Sequence, residues 1–254
     1  MKANILGNKF LAHIRECQAI CHVVRAFKDD DIVRADSKPE SDILAQAKDD
    51  IDIINLELSL ADEETKAKIA EKSKKNPKFA EENQIPFLSE KPVIYMFNVD
   101  ESGLTDDSLK TSLAALVKPS QSIFVNAKLE EEMSGMSREE RKDFLESYGV
   151  KEDALGELIK AAYSTLGLQS FLTAGKKECR AWTIKQGSTA PEAAGAIHSD
   201  FEKGFIAAQI CSFDDLKSLG SEKAVKEAGK MRTEGKTYVM QDGDVVGFRF
   251  NVSK

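Results

Sequence analysis

The sequence is poor in the residues that most often betray a chemistry. It has three histidines, one tryptophan, six prolines and four cysteines in 254 residues. No window holds eighteen uninterrupted apolar residues, so a membrane-spanning helix is excluded. The opening Met1-Lys2-Ala3-Asn4-Ile5-Leu6-Gly7 shows neither the apolar run nor the cleavage site of a secretory signal, and a cytoplasmic location is expected. Cys17, Cys21, Cys179 and Cys211 lack C-x-x-C spacing and read as reduced, mostly buried thiols. His13, Cys17 and Cys21 fall at i, i+4 and i+8, followed by His22, but the strand-like stretch 19–27 breaks that helical register. A structural zinc needs four convergent ligands, and no metal site is assigned. The scattered histidines have no Ser or Cys partner in a nucleophile motif, so no catalytic residue is assigned either.

Charge is plentiful and unevenly shared. The chain carries 36 basic and 43 acidic side chains, a net of -7, which disfavours indiscriminate nucleic-acid binding. Residues 1–167 hold 23 basic and 32 acidic groups, whereas residues 168–254 hold 13 and 11. Two modules with different partners would give this asymmetry, and so would solvated acidic helices.

Apolar periodicity alternates between helical and strand-like in the first 167 residues. Phe10, Leu11 and Ile14 share a helical face, and 19–27 reads as a buried strand. Ile51, Ile54, Leu58 and Ala61 recur at helical spacing in a helix expected from Asp49 to Lys75, whose lysine- and glutamate-rich end should project into solvent. The runs 92–99 and 122–127 are continuously apolar, as strands covered on both faces are, and Leu109, Leu113 and Leu116 between them supply a crossover helix. The result is a β-α-β unit. Ser137-Arg138-Glu139-Glu140 has the capping-box pattern. Beyond residue 168 a strand at 178–184, a helix opened by Thr189-Ala190-Pro191-Glu192, and strands at 205–210, 238–240 and 245–250 are expected, the last two joined across Asp242-Gly243-Asp244. These describe a small α+β module of ubiquitin-like β-grasp type.

A phosphate-binding loop places closely spaced glycines, a lysine and a hydroxyl between a strand and a helix. Gly229-Lys230-Met231-Arg232-Thr233-Glu234-Gly235-Lys236-Thr237 comes nearest. It fails because five residues separate its glycines and a charged helical segment precedes it.

The distinctive motif is Asn98-Val99-Asp100-Glu101, directly after a buried strand. In P-loop GTPases the matching strand ends in N-K-x-D, whose carboxylate accepts the guanine N1–H and N2–H donors. With valine after Asn98 and glutamate at 101, the chain resembles the YchF or Obg-like ATPase family, whose N-x-x-E signature accompanies a preference for ATP. Leu6-Gly7-Asn8-Lys9-Phe10-Leu11, His22-Val23-Val24-Arg25-Ala26-Phe27, Asp50-Ile51-Asp52-Ile53-Ile54-Asn55, Arg180-Ala181-Trp182-Thr183 and His198-Ser199-Asp200-Phe201-Glu202-Lys203-Gly204-Phe205 carry the same resemblance across almost the whole chain. It implies a partial G-domain-like parallel sheet (1–48 and 91–167), a shortened helical arm (49–90) and a TGS domain (168–254). It also implies that Phe27 and Val99 pack against an adenine ring, that Asn98 bonds its edge, and that Glu101 sets base choice. From the residues alone, Phe27 and Val99 read first as core packing, and Asn98 reads equally as a strand-end turn residue and as a base ligand.

Three departures qualify what the resemblance implies. The family's first strand, Walker A loop, switch I and D-x-x-G strand have no counterpart here, so ATP affinity should be weak or absent, no ligands for the family's Mg2+ are identified, and autonomous hydrolysis is not expected. The arm shrinks to the Asp49–Lys75 helix and a short return through Ile85, Phe87 and Leu88. A histidine implicated in hydrolysis is matched by Arg34, which cannot relay a proton near neutral pH. Expected partners are the ribosome or its RNA through the TGS domain, and a complementing fragment or a second copy at the uncovered sheet edge.

Overall fold

The computed structural model describes residues 7–29, 42–76, 86–150, 153–175 and 178–251. Arg34, Ile85, Asp30 and Asp31 lie outside the described residues. The chain divides into two compact units, Met1–Leu166 and Gly167–Lys254.

The first unit runs α1 (Asn8–Glu16), β1 (Ile20–Arg25), α2 (Ile43–Lys75), β2 (Val93–Asn98), α3 (Asp107–Val117), β3 (Gln121–Val125), α4 (Ala127–Glu132), α5 (Arg138–Ser147) and α6 (Ala154–Thr165). Its strands form a parallel sheet in the order β1-β2-β3. The continuous apolar runs are explained by cover on both faces. Tyr95, Phe97 and Val24 pack with Ala47 and Ile51 of α2 and Leu113 and Val117 of α3, while Ile94 and Ile123 meet Ala161 of α6 on the other side. Local chemistry sets the helix starts. Asp106 accepts from the N–H groups of Ser108 and Leu109 at 2.9 and 3.0 Å, Asn126 accepts from Leu129 N–H at 3.0 Å, and Ser137 and Glu140 close their capping box.

Helix α2 begins at Ile43, six residues before the expected start, because Ile43, Leu44 and Ala47 pack on the sheet core. Its 33 residues extend about 50 Å at 1.5 Å per residue. Midway along it, Asp62 is 1% exposed and accepts from Leu88 N–H at 2.9 Å and from the N–H and hydroxyl of Ser89, each at 2.8 Å. Arg15 of α1 lies 3.6 Å away and also donates to Thr65 Oγ1 at 2.9 Å. Leu11, Leu58 and Leu88 fill the space between α1, α2 and the returning chain. Phe10, expected on this face, is exposed. Helix α1 ends at Glu16 with Cys17 extended, so His13, Cys17 and Cys21 do not share a helix. The expectation of mostly buried thiols is corrected: Cys17, Cys21 and Cys179 are exposed and Cys211 alone of the four is buried.

The second unit runs β4 (Leu168–Ala174), β5 (Cys179–Lys185), α7 (Ala190–Ile197), α8 (Ser199–Lys203), β6 (Phe205–Ser212), α9 (Phe213–Leu219), α10 (Glu222–Glu227), β7 (Arg232–Glu234) and β8 (Asp244–Phe250). Its mixed sheet has the order β5-β4-β8-β6-β7, with β4 and β8 parallel at the centre. Ala190, Ala193 and Ala194 let α7 lie close against Phe171, Phe205 and Ile210. The strand expected at 238–240 is replaced by a single bridge from Thr189 to Val239. Its groups are used elsewhere: Tyr238 hydroxyl donates to buried Asp244 at 2.9 Å and Met240 carbonyl accepts from Gln169 at 2.7 Å. Gly243, at φ 79°, turns the chain so that Asp242 accepts from Ser170 N–H on β4 at 2.8 Å, so no hairpin forms.

Burial alone would raise the Asp62 carboxyl, but the bonds from Ser89 and Leu88 and the Arg15 charge outweigh it and hold the group below its ordinary value. The stabilisation is therefore complete above the unfolded carboxylate pKa of about 3.9 and is lost as pH falls through the lower folded value. Asp62→Ala should cost about 3 kcal/mol at pH 7, since it strands buried donors and Arg15. Calorimetric melting should show the gap between wild type and variant closing as the pH is taken well below that range.

Candidate functional site

Parallel register places the site. Arg25 lies opposite Asn98, and Asn98 opposite Val125, so three strands end level and their following residues converge at the carboxyl edge of the sheet. Loops leaving that edge are where open α/β sheets bind ligands. Here they enclose a cleft of about 380 Å³ lined by Phe27, Asp29, Asn98, Val99, Asp100, Glu101, Ser102, Asn126 and Lys128, within the usual size range of small-molecule sites.

All four residues singled out from sequence line this cleft, in different ways. Phe27 is half-buried, with the Arg25 guanidinium 4.7 Å from its ring centroid. Arg25 also donates to the Phe27 and Asp29 carbonyls at 3.3 and 3.2 Å, which fixes the turn after β1. Asn98 is half-buried. Its backbone carbonyl accepts from Ala26 N–H at 2.8 Å and its side-chain Oδ1 from Ala127 N–H at 3.1 Å, so one residue ties both neighbouring strand ends. That acceptor role directs the Asn98 Nδ2 amide, a double donor, to other partners. Val99 is 1% exposed and belongs to the sheet core, so it forms the floor of the cleft. Glu101 stands exposed at the rim.

The loop after Asn98 is closed by Asp100, whose Oδ1 accepts from Ser102 hydroxyl and Gly103 N–H, both at 2.8 Å. A Cβ on Gly103 would lie 2.8 Å from Val99 Cβ, so only glycine lets this loop close over the buried valine.

Sequence reasoning did not find Asp29, Asp100, Ser102, Asn126 and Lys128. The legible signal was Asn126-Ala127-Lys128 directly after a second apolar run, an N-cap asparagine at the same level as Asn98. Among the described residues the cleft is lined by three carboxylates, Asp29, Asp100 and Glu101, and one cation, Lys128. Such a wall suits the amino and ring N–H groups of a heterocyclic base and opposes a polyphosphate. The site therefore fits the base of a nucleotide, while the described residues of the cleft supply no cradle for phosphates or Mg2+. Among the described residues no cluster of three or more His, Cys, Asp or Glu could hold a metal ion, and no helix is long and apolar enough to cross a membrane. The segment 229–237, which came nearest to a phosphate loop, forms a turn after α10 and then β7.

A parallel sheet covered by helices on both faces, with a base-sized cleft at the strand ends, places the chain in the class of nucleotide-binding α/β proteins. Comparison narrows this. The family YchF-GTPase_C, described as "Protein of unknown function (DUF933)", matches residues 168–251. The chain is 43% identical to the ribosome-binding ATPase YchF of Bacillus subtilis, across 99% of this chain and 78% of the relative. It is 36% identical to the Obg-like ATPase 1 of Pongo abelii, across 97% and 72%. The solved structure of the Schizosaccharomyces pombe YchF GTPase shares the fold with a TM-score of 0.75 at 30% identity, covering 96% of this chain and 75% of that one. A GTP binding protein from Pyrococcus horikoshii shares the fold alone, at TM-score 0.61 and 17% identity. The chain belongs to the YchF/Obg-like ATPase family. Its alignment to the Bacillus relative runs over 291 positions although the chain has 254 residues, so that relative carries segments inside the matched span that are missing here.

Gly103→Ala should push the 100–103 loop off Val99, destabilising the first unit by about 1–3 kcal/mol and reshaping the cleft. Thermal melting together with the amide chemical shifts of 99–103 checks both effects.

Proposed function

We propose that this chain is the base-recognition and ribosome-docking portion of a YchF-type ATPase, and that as a 254-residue polypeptide it binds adenine nucleotides by the base without hydrolysing them. The carrying observation is the convergence of Phe27, Asn98 and Glu101 in one cleft with an acidic wall. Phe27 packs on the purine, Asn98 Nδ2 donates to a ring nitrogen, and Glu101 sets the choice between adenine and guanine. Catalysis of phosphoryl transfer is mostly positioning and charge neutralisation around the γ-phosphate, and the described residues of the cleft offer neither grouped cations nor a glycine-rich loop for it. Relatives are named both as ATPases and as a GTPase, so base choice is a property to measure.

In this reading the helical arm is shortened, and segments that the Bacillus relative carries and this chain lacks within the aligned span belong to it. The second unit reads as a β-grasp domain of TGS type, consistent with its five-stranded mixed sheet and the helix α7 packed across it. It docks on ribosomal RNA in this reading, and its mildly basic balance favours that role. The sheet of the first unit pairs β1 on one side only among the described strands. Its outer side, with Val23 61% exposed, is where a complementing polypeptide would add.

Titration calorimetry should show adenosine and ATP binding with similar affinity and GTP more weakly, with Asn98→Ala losing about tenfold, equal to 1.4 kcal/mol. A strong magnesium-dependent preference for ATP over adenosine, or ATP turnover that Asn98→Ala abolishes, would overturn the reading. Co-sedimentation with ribosomes should be salt-sensitive and retained by residues 168–254, which have their own hydrophobic core.

A further inference from the structure

Helix α2 is apolar on two opposite faces, and the first unit covers one of them. Ala47, Ile51 and Leu58 are buried against that unit. On the other side Ile53, Leu56 and Leu60 are 39%, 59% and 52% exposed. Their row continues through Glu63, Ala67, Ala70 and Lys74, alternating steps of three and four, the seam spacing of a coiled coil. The seam runs for about 32 Å at 1.5 Å per residue. The described part of the returning chain lies elsewhere: Leu88 and Ser89 bind Asp62 and Leu88 packs on Leu58.

Two features state what covers this face. Residues 48–64 hold seven carboxylates and one lysine, whereas residues 65–75 hold five lysines and one glutamate. An identical helix laid antiparallel therefore sets acidic half against basic half at both ends. In the same arrangement Leu56 faces Ala67 and Ile53 faces Ala70, so large residues meet small ones and the backbones approach closely. Asp49 then faces Lys74, while Leu60 lies beside Glu63 of the second copy, whose charge is held by Lys66 of the same helix at 3.0 Å. A parallel pair would align like charges along its whole length.

We propose that the chain self-associates as a two-fold dimer through an antiparallel α2–α2 coiled coil seamed by Ile53, Leu56, Leu60, Ala67 and Ala70. This is separate from nucleotide binding and from any addition to the β1 edge.

Light scattering and sedimentation equilibrium of the full chain test it. The expected mass at tens of micromolar is twice the 28.0 kDa of one chain. Leu56→Glu with Leu60→Glu should return the monomer while circular dichroism keeps the helix signal. Lys74→Glu with Lys75→Glu, both exposed and with the helix signal checked by circular dichroism because they sit in the last turn of α2, should weaken association about tenfold. Mixing that variant with Asp49→Lys/Asp52→Lys should restore the dimer, because reversed charges then meet their complements. A monomer at the highest concentration overturns the proposal, whether the face stays open to labelling at Leu56→Cys or is shielded by the same chain. A dimer indifferent to the leucine substitutions overturns the interface, and one unmoved by the lysine reversals overturns its antiparallel register.

Discussion

The site depends on one constraint, the in-register parallel pairing of β1, β2 and β3. Asn98 sits where that pairing ends, taking Ala26 N–H on one side through its carbonyl and Ala127 N–H on the other through its side chain. Shift β2 by one residue and Asn98 would turn to the opposite face of the sheet, carrying the cleft with it. Core packing enforces the register. Phe97 and Val99 can be buried with Val24 and Leu113 on one face, and Ile94 with Ile123 on the other, in this alignment alone. The hydrophobic effect that holds the sheet thus also aims the polar groups of the site.

Asp62 plays a corresponding part for α2. A helix of 33 residues is far longer than the sheet it covers, and something must bring the chain back toward β2. Three hydrogen bonds to one buried carboxylate do so. The Arg15 charge and the Leu11, Leu58 and Leu88 contacts link that return to α1. A charge at 1% exposure is tolerable because three hydrogen bonds and the nearby Arg15 guanidinium compensate it, which is the condition for burying any carboxylate.

Much of this was legible in the sequence because periodicity reports burial. The continuous runs 92–99 and 122–127 declared strands covered on both faces, whereas Phe27, Asn98 and Glu101 were singled out through the resemblance of Asn98-Val99-Asp100-Glu101 and its flanking motifs to a known family. What stayed hidden depended on partners distant in sequence. Asp62 looks like any solvated acid among Asp62-Glu63-Glu64, and its role becomes visible only when Leu88 and Ser89 arrive, 26 and 27 residues away. Tyr238 to Met240 looks like a strand by residue type, yet its hydroxyl and carbonyl are taken by Asp244 and Gln169. Cysteine burial failed as an expectation because Cys17 follows the end of α1 and Cys21 lies on β1, which pairs on one side only among the described strands.

Recognition of a base and grip on its phosphates are separable demands in this architecture. The first needs a rigid, partly apolar slot with directed donors and acceptors, which three strand ends and their turns provide through Arg25, Asn98 and Asp100. The second needs concentrated positive charge and backbone N–H groups aimed at one point. A wall containing Asp29, Asp100 and Glu101 cannot serve both, because the field that welcomes an exocyclic amine repels a triphosphate. Keeping the acidic wall at the base end is thus compatible with phosphate chemistry only where the phosphates lie beyond it, in surroundings of opposite sign. The same field argues for the part played by Arg25. Half-buried against Phe27 and donating to two carbonyls of its own turn, it shapes the slot and spends its donors within that turn.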